Sequence, residues 1–460
     1  MTQQTKSEVK WISELPSHWR ALPLRGLATE GRTSFVDGDW IEAPYITEDG
    51  VRLLQTGNVG IGQFREQGFR YVSEETFDAL RCTEVNPGDV LICRLAEPVG
   101  RACLAPHLGV RMITSVDVCI MKPSSDNDRR FIVYLLSSPN YLSYMEGQCR
   151  GGTRDRVSRS FLGAVRVPVP PLLEQTAIAA FLDRETDKID ALLEQQERLI
   201  ELLKEKRQAL ISHAVTKGLN PNAPMKASAV ERLGHVPEHW TTTRLRFAVR
   251  LNPSKSELEE LNENTTVSFL PMDAIGEDGT LALNSTRRLA DVLSGYTYFR
   301  EGDVAVAKIT PCFENGKGAL MRGLEGGIGF GTTELIVARP LPGLSTSEFL
   351  FWLFSSTMFR RLGEGSMYGA GGQKRVPDEF VRNFPIALPP FVEQAAIAEF
   401  LHRETARFDL LLREAEAAVS LLQERRAALI SAAVTGKIDV RDVPRTDTKG
   451  AASAKKAVFA

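Results

Sequence analysis

The chain says almost the same thing twice. "PPLLEQTAIAAFLDRETDKIDALL" begins at Pro170 and "PPFVEQAAIAEFLHRETARFDLLL" begins at Pro389. Aligned without a gap, Pro170–Thr216 and Pro389–Thr435 share about 27 identities in 47 positions, which marks an internal repeat. A chain of 460 residues is too long for one ordinary core. Two halves built on one plan are the simplest solution.

Fainter echoes precede each copy, always in the same order. "LPSHWRALPLR" (Leu15 to Arg25) answers "VPEHWTTTRLR" (Val236 to Arg246), and "NPGDVLICR" (Asn86 to Arg94) answers "REGDVAVAK" (Arg300 to Lys308). "RFIVYLLSS" (Arg130 to Ser138) then answers "EFLFWLFSS" (Glu348 to Ser356), and "RVPVPP" answers "FPIALPP". These regions mix short β-branched runs with Gly, Pro, Asn and Asp punctuation and one helix-like stretch each. Such a pattern is α+β rather than a regular βαβ alternation.

The repeated segments differ in kind. Leu182, Ile189, Leu192, Leu199, Leu203 and Leu210 fall at heptad steps of seven separated by steps of three and four, as do Leu401, Phe408, Leu411, Ala418, Leu422 and Leu429. Each segment reads as a long amphipathic helix with a coiled-coil seam. About 43 residues of helix would run near 65 Å, and the cheapest partner for such an apolar stripe is its own copy. The expected fold is therefore α+β, with two pseudo-twofold-related globular units joined by two long antiparallel coiled-coil helices. Its expected boundaries are 1–168 and 231–387 for the globular units, 169–217 and 388–438 for the helices, 218–230 for an exposed linker, and 439–460 for a disordered tail.

Composition narrows the function. No apolar run approaches the roughly 18 to 20 residues of a membrane span, and "MTQQTKSEVKW" lacks the apolar stretch of a signal peptide. We therefore expect a cytoplasmic protein with no membrane partner. Six cysteines (Cys82, Cys93, Cys103, Cys119, Cys149, Cys312) show no metal-ligand spacing, and five of them fall in one half, so we expect reduced core thiols and no metal site. The net charge of −2 argues against a protein that holds nucleic acid unaided. Any basic surface must be local or supplied by a partner.

Catalytic signatures are missing too. The three Asn-Pro pairs (at Asn86, Asn220 and Asn252) continue with Gly, Asn and Ser, so no Asn-Pro-Pro-Tyr tetrapeptide occurs, and no GxxxxGK[ST] loop is present to cradle phosphates. His18 and His239 occupy matching places in "PSHW" and "PEHW" and read as parts of a structural turn. "PDEF" at Pro377 reads as a helix start. We expect no catalytic residue in this chain.

The duplicated "PPLLEQTAIAAFLD", "RQALISHAVTKGL" and "RRAALISAAVTGK" segments, the Trp plus "LR" opening of each half, and the "GDVLICR" and "GDVAVAK" strands together resemble the specificity subunit of type I restriction-modification systems. The similarity runs from about Trp11 to Asp439. The resemblance implies two target recognition domains, each reading one half of a bipartite, asymmetric site on double-stranded DNA. It also implies paired helices that set the spacing and dock two modification subunits, which are methyltransferases carrying S-adenosylmethionine. Restriction subunits using ATP and Mg would join when present, and no cofactor would be bound by this chain. The competing reading is a stand-alone bipartite DNA-binding regulator or architectural protein, which the near-neutral charge disfavours.

Glycines that let backbone approach phosphate, beside Arg, Lys, Asn and Gln, mark the candidate DNA contacts. "RGGTRDRVSR" supplies Arg150, Arg154, Arg156 and Arg159, and its counterpart "GAGGQKRV" supplies Gln373, Lys374 and Arg375. The alignment adds Arg94 opposite Lys308. It also sets Gln55, Thr56 and Asn58 in "LLQTGNVG" against "LPMDAIG", and Thr114 with Ser115 against Thr332 and Thr333. On the helices, Glu174, Gln175, Arg184, Glu185, Asp190 and Arg207 repeat as Glu393, Gln394, Arg403, Glu404, Asp409 and Arg426. Either two copies of one partner dock on these positions, or the helices bridge each other through them.

Overall fold

The computed structural model describes residues 4–95, 97–149, 156–228, 230, 232–370 and 372–440. The segment expected to be a disordered tail lies almost wholly outside the described residues. Two long helices, Leu172–Lys217 and Phe391–Val434, dominate the fold. Contacts divide the chain into one unit of residues 1–195 with 418–460 and a second of residues 196–417. Each unit therefore combines a globular region, the first part of its own helix and the last part of the other helix.

In the first unit the "GDVLICR" strand, Val90–Cys93, lies inside a four-stranded antiparallel sheet ordered Phe35–Asp37, Val118–Met121, Val90–Cys93, Ala102–Leu104. In the second unit the "GDVAVAK" strand, Val304–Ala307, holds the same place in a sheet ordered Val249–Leu251, Leu335–Pro340, Val304–Ala307, Gly318–Leu320. Both central strands are wholly buried, which explains their unbroken apolar text. Each unit also has a mixed sheet. Val51–Leu54 pairs parallel to Met112–Thr114 in one, and Thr266–Leu270 pairs parallel to Ile328–Gly331 in the other. The α+β reading and the paired echoes both hold.

One main core serves each unit, and the helices complete it. In the first, Trp19, Leu24, Phe131, Leu135, Leu162 and Val167 pack with Ile178 and Leu182 of one helix and Ile430, Ala433 and Val434 of the other. In the second, Trp240, Leu245, Phe349, Leu353, Val381 and Ile386 pack with Ile397 and Leu401, and with Ile211, Ala214 and Val215. The start of one helix thus meets the end of the other inside each unit, so the two segments run antiparallel there. A positive-φ glycine follows each helix: Gly218 lies against Trp240 and Gly436 against Trp19. A Cβ at Gly436 would sit 2.5 Å from Pro16, so both the turn and the close approach require glycine.

Two expectations need revision. Met225–Ala227, inside the expected linker, forms a strand paired with His235–Pro237, and the Lys226 ammonium donates to the Glu238 and Trp240 carbonyls. Part of that connection is thus built into the second unit. The seam is also uneven: Leu182, Leu203 and Leu401 are buried, but Leu192, Leu199 and Leu411 are exposed. A single partner helix covers an apolar stripe from one side only.

Candidate nucleic-acid interface

Both units bring the two predicted clusters together at the end of the GDV strand. In the second unit the Lys308 backbone N–H donates to the Glu334 carbonyl, and the Val376 N–H donates to the Lys308 carbonyl. These bonds gather the strand end, the 332–334 turn and the "GAGGQKRV" loop. In the first unit the Arg94 N–H donates to the Asp117 carbonyl and the Val157 N–H to the Arg94 carbonyl. The scaffold is one; the side chains on it differ.

Arg375 clasps Glu334 through both Nε and Nη2, the shortest contact being 2.6 Å. Hydrogen bonding from that guanidinium holds the Glu334 carboxyl below its ordinary value. Lys308 is half-buried, while Gln373 and Lys374 are exposed. The Thr332 hydroxyl accepts from the Glu334 N–H, and Thr333 is exposed. Two cations, Arg375 and Lys308, thus act on one acid.

In the first unit Arg156 pairs with Asp117 at 3.1 Å, and Arg159 lies 3.9 Å from Asp37. Both arginines keep a solvent-facing side. Arg150 and Arg154 lie outside the described residues.

Several assignments change. Arg94 is buried: its guanidinium donates to the Val157 and Val116 carbonyls and pairs with Asp37 at 2.9 Å. It ties the loop to the strand and is not open to a ligand. Asn58 is also buried, its Oδ1 accepting from the Gln55 N–H while Nδ2 donates to the Arg65 and Gln67 carbonyls. Every polar atom of that side chain is spent on the turn. Gln55 and Thr56 flank it half-buried, and the buried Thr114 hydroxyl donates to the Leu54 carbonyl.

The helix positions change more. Gln175 and Gln394 are buried and cannot dock anything. Gln175 Oε1 accepts from the Asp128 N–H and its Nε2 donates to Asn127 and the Pro170 carbonyl. Gln394 repeats this with the Thr346 N–H and the Leu344 and Pro389 carbonyls. Glu174 holds His18 at 2.8 Å and accepts from Trp19 Nε1, and Glu393 holds His239 at 2.7 Å. Arg207 bridges to Asp409 at 2.9 Å and Arg426 to Asp190 at 3.0 Å. For these six docking candidates the repeat is explained by the fold. Among the described residues, Arg184 with Glu185 and Arg403 with Glu404 pair only with neighbours on their own helix and stay open to a partner.

The sequence reading missed the exposed apolar residues. Leu173 and Val392 occupy equivalent helix positions and are 80% and 82% exposed, a match visible in "PPLL" against "PPFV". Trp40 and Tyr368 are exposed aromatics. Trp40 follows Asp39, which bridges to Ser115, and Tyr368 bridges to Arg375. An aromatic ring next to a Gly-rich basic loop was the available signal. Among the described residues, no group of three or more His, Cys, Asp or Glu is placed to hold a metal ion, and no helix is long and apolar enough to cross a membrane.

Fold and site define a tandem-duplicated α+β chain in which two antiparallel helices complete both cores. Residues 44–202 match the family model of the Type I restriction modification DNA specificity domain. The chain is 39% identical over 175 residues to the type I restriction enzyme EcoEI specificity subunit of Escherichia coli, a match covering 38% of this chain and 29% of that protein. It is 42% identical over 172 residues to the EcoAI specificity subunit of the same organism, covering 37% and 28%. The matched stretches are thus under a third of the length of these two relatives. A chain solved in work on complex assembly and conformational transition of the type I R-M system shares the fold, with a TM-score of 0.65, 14% identity, and coverage of 92% of this chain and 99% of that one. The family model and these two relatives thus match part of the chain, and they carry the name of the family its duplicated helices resemble.

Proposed function

We propose that the chain is the DNA-recognition subunit of a type I restriction-modification complex, without catalysis or a cofactor of its own. Each unit reads one half of a bipartite, asymmetric duplex site. The paired helices set the spacing and dock two modification subunits, which bring S-adenosylmethionine; restriction subunits with ATP and Mg join when present.

One observation carries this reading: both units pin a basic segment, at Arg156–Arg159 and at Gln373–Val376, to the end of the same buried strand, yet arm it with different side chains. Arg156 and Arg159 stand in one, Gln373, Lys374 and Arg375 in the other. A common frame with divergent tips suits two readers of two different half-sites. Docking of two identical partners finds support in Leu173 and Val392, equally exposed at equivalent places, since large exposed apolar groups that recur in this way mark contact surfaces.

The test is a map of methylated adenines in cells with and without this gene. An interrupted, asymmetric methylated motif should vanish with the gene. Retention of every motif in a strain whose system is active would refute the proposal. With a net charge of −2, the purified chain alone should hold DNA poorly and gain specific affinity with its modification subunit.

A further inference from the structure

We propose that Tyr368 is a base-stacking residue of the second unit, its ring laid against the face of a nucleobase while neighbouring cations hold the flanking phosphates. This inference rests on the DNA-recognition reading above and names the ligand chemistry of one position within it.

The backbone at Tyr368 is already fixed. Its N–H donates to the Arg375 carbonyl at 3.1 Å and its carbonyl accepts from the Arg375 N–H at 2.9 Å. Arg375 in turn bridges to Ile309 and clasps Glu334. Thr310 closes the other side, its hydroxyl donating to the Gly372 carbonyl at 2.6 Å and accepting from the Lys374 N–H at 3.0 Å. Gly369, at φ +125°, leaves no room for a side chain, because a Cβ there would meet the Gln373 carbonyl at 2.7 Å. The turn is pinned on both strands.

On this pinned frame the Tyr368 side chain is 62% exposed and makes no side-chain hydrogen bond among the described residues. A single exposed aromatic is ordinary on a protein surface. What sets this one apart is its company: Gln373 and Lys374 are exposed on the same loop, and Lys308 and Arg375 lie beside it with Glu334 as the acid they share. A ring that costs little to order, ringed by a net positive charge, fits a ligand with flat aromatic faces and an anionic backbone. Nucleic acid is that ligand, and stacking suits the ring because every base has a π-face.

Stacking and phosphate contact respond differently to salt, so one titration separates them. Binding of the complex with its modification subunit to a target duplex is measured across a salt series. Tyr368→Ala should weaken binding by about tenfold with an unchanged salt slope, and Tyr368→Phe should bind like the parent. Lys374→Ala should instead lower the slope by about 0.9. Parent-like binding by Tyr368→Ala, or a loss seen only as a smaller slope, would overturn the inference while leaving DNA recognition intact. A Tyr368→Ala chain that melts normally but fails to assemble with its partner would assign the ring to a protein contact and overturn it equally. A parent complex that prefers no duplex at all would sink the DNA reading and this inference with it.

Discussion

The Gly-Asp-Val triplet shows how one local motif can serve two energetic ends. Gly88 and Gly302 both adopt positive φ, and the aspartate that follows accepts the N–H three residues back: Asn86 N–H to Asp89, Arg300 N–H to Asp303, each at 2.9 Å. The triplet is a turn that launches a buried strand. The carboxylates then diverge. Asp303 is fully buried and clasped by Arg339 at 2.7 Å, with Glu257 on the far side of the guanidinium, whereas burial pushes Asp89 up from its ordinary value, against the Asn86 N–H and the nearby Lys122 and Arg129. A folded-state value above the unfolded one means the folded chain binds the extra proton, so stability falls as pH rises through that window. Asp89→Asn keeps an acceptor for the Asn86 N–H and removes the buried charge, so it should hold or raise stability at neutral pH and flatten that pH dependence. Asp303→Asn leaves Arg339 half-paired in the core and should cost about 3 kcal/mol. Urea unfolding of both variants checks the contrast, and equal losses would refute it.

Among the elements, the long helices change meaning most. Their repeated polar residues mainly serve the fold: Gln175 and Gln394 satisfy backbone groups where helix meets globular region, and Arg207 and Arg426 bridge to the opposite helix. What remains open on them includes the exposed apolar pair Leu173 and Val392 as well as Arg184, Glu185, Arg403 and Glu404. Leu173→Glu or Val392→Glu, at largely exposed positions, should leave the melting temperature unchanged and each remove one modification subunit from the complex; both together should remove two. Native mass spectrometry counts the subunits, and full assembly of the double variant would contradict this assignment. The helices themselves, the central strands and their order were legible in sequence because apolar period and repetition survive in local text. The roles of Gln175, Arg94 and Asn58 were not, because an amide or guanidinium reads alike whether it faces solvent or a buried carbonyl. Only the position of that carbonyl in three dimensions separates the two.

At the scale of the whole chain, duplication and charge make the same demand. A net charge of −2 leaves no general basic surface to supply affinity, so whatever grips a polyanion must be local, and each unit carries its own local cluster. Because Gln373 and Lys374 are exposed and Arg156 belongs to the other unit, changes at either tip should be felt in one half of the target alone. In a library of duplexes randomised at both halves, Gln373→Ala should relax base preference at one half and leave the other as it was, and Arg156→Ala should do the reverse. Each lost base contact is worth roughly 1–3 kcal/mol of discrimination, ample for sequencing of methylated adenines to resolve. Equal relaxation of both halves by either variant would mean that the two units read the duplex jointly. The duplicated frame would then position one shared surface rather than two independent readers.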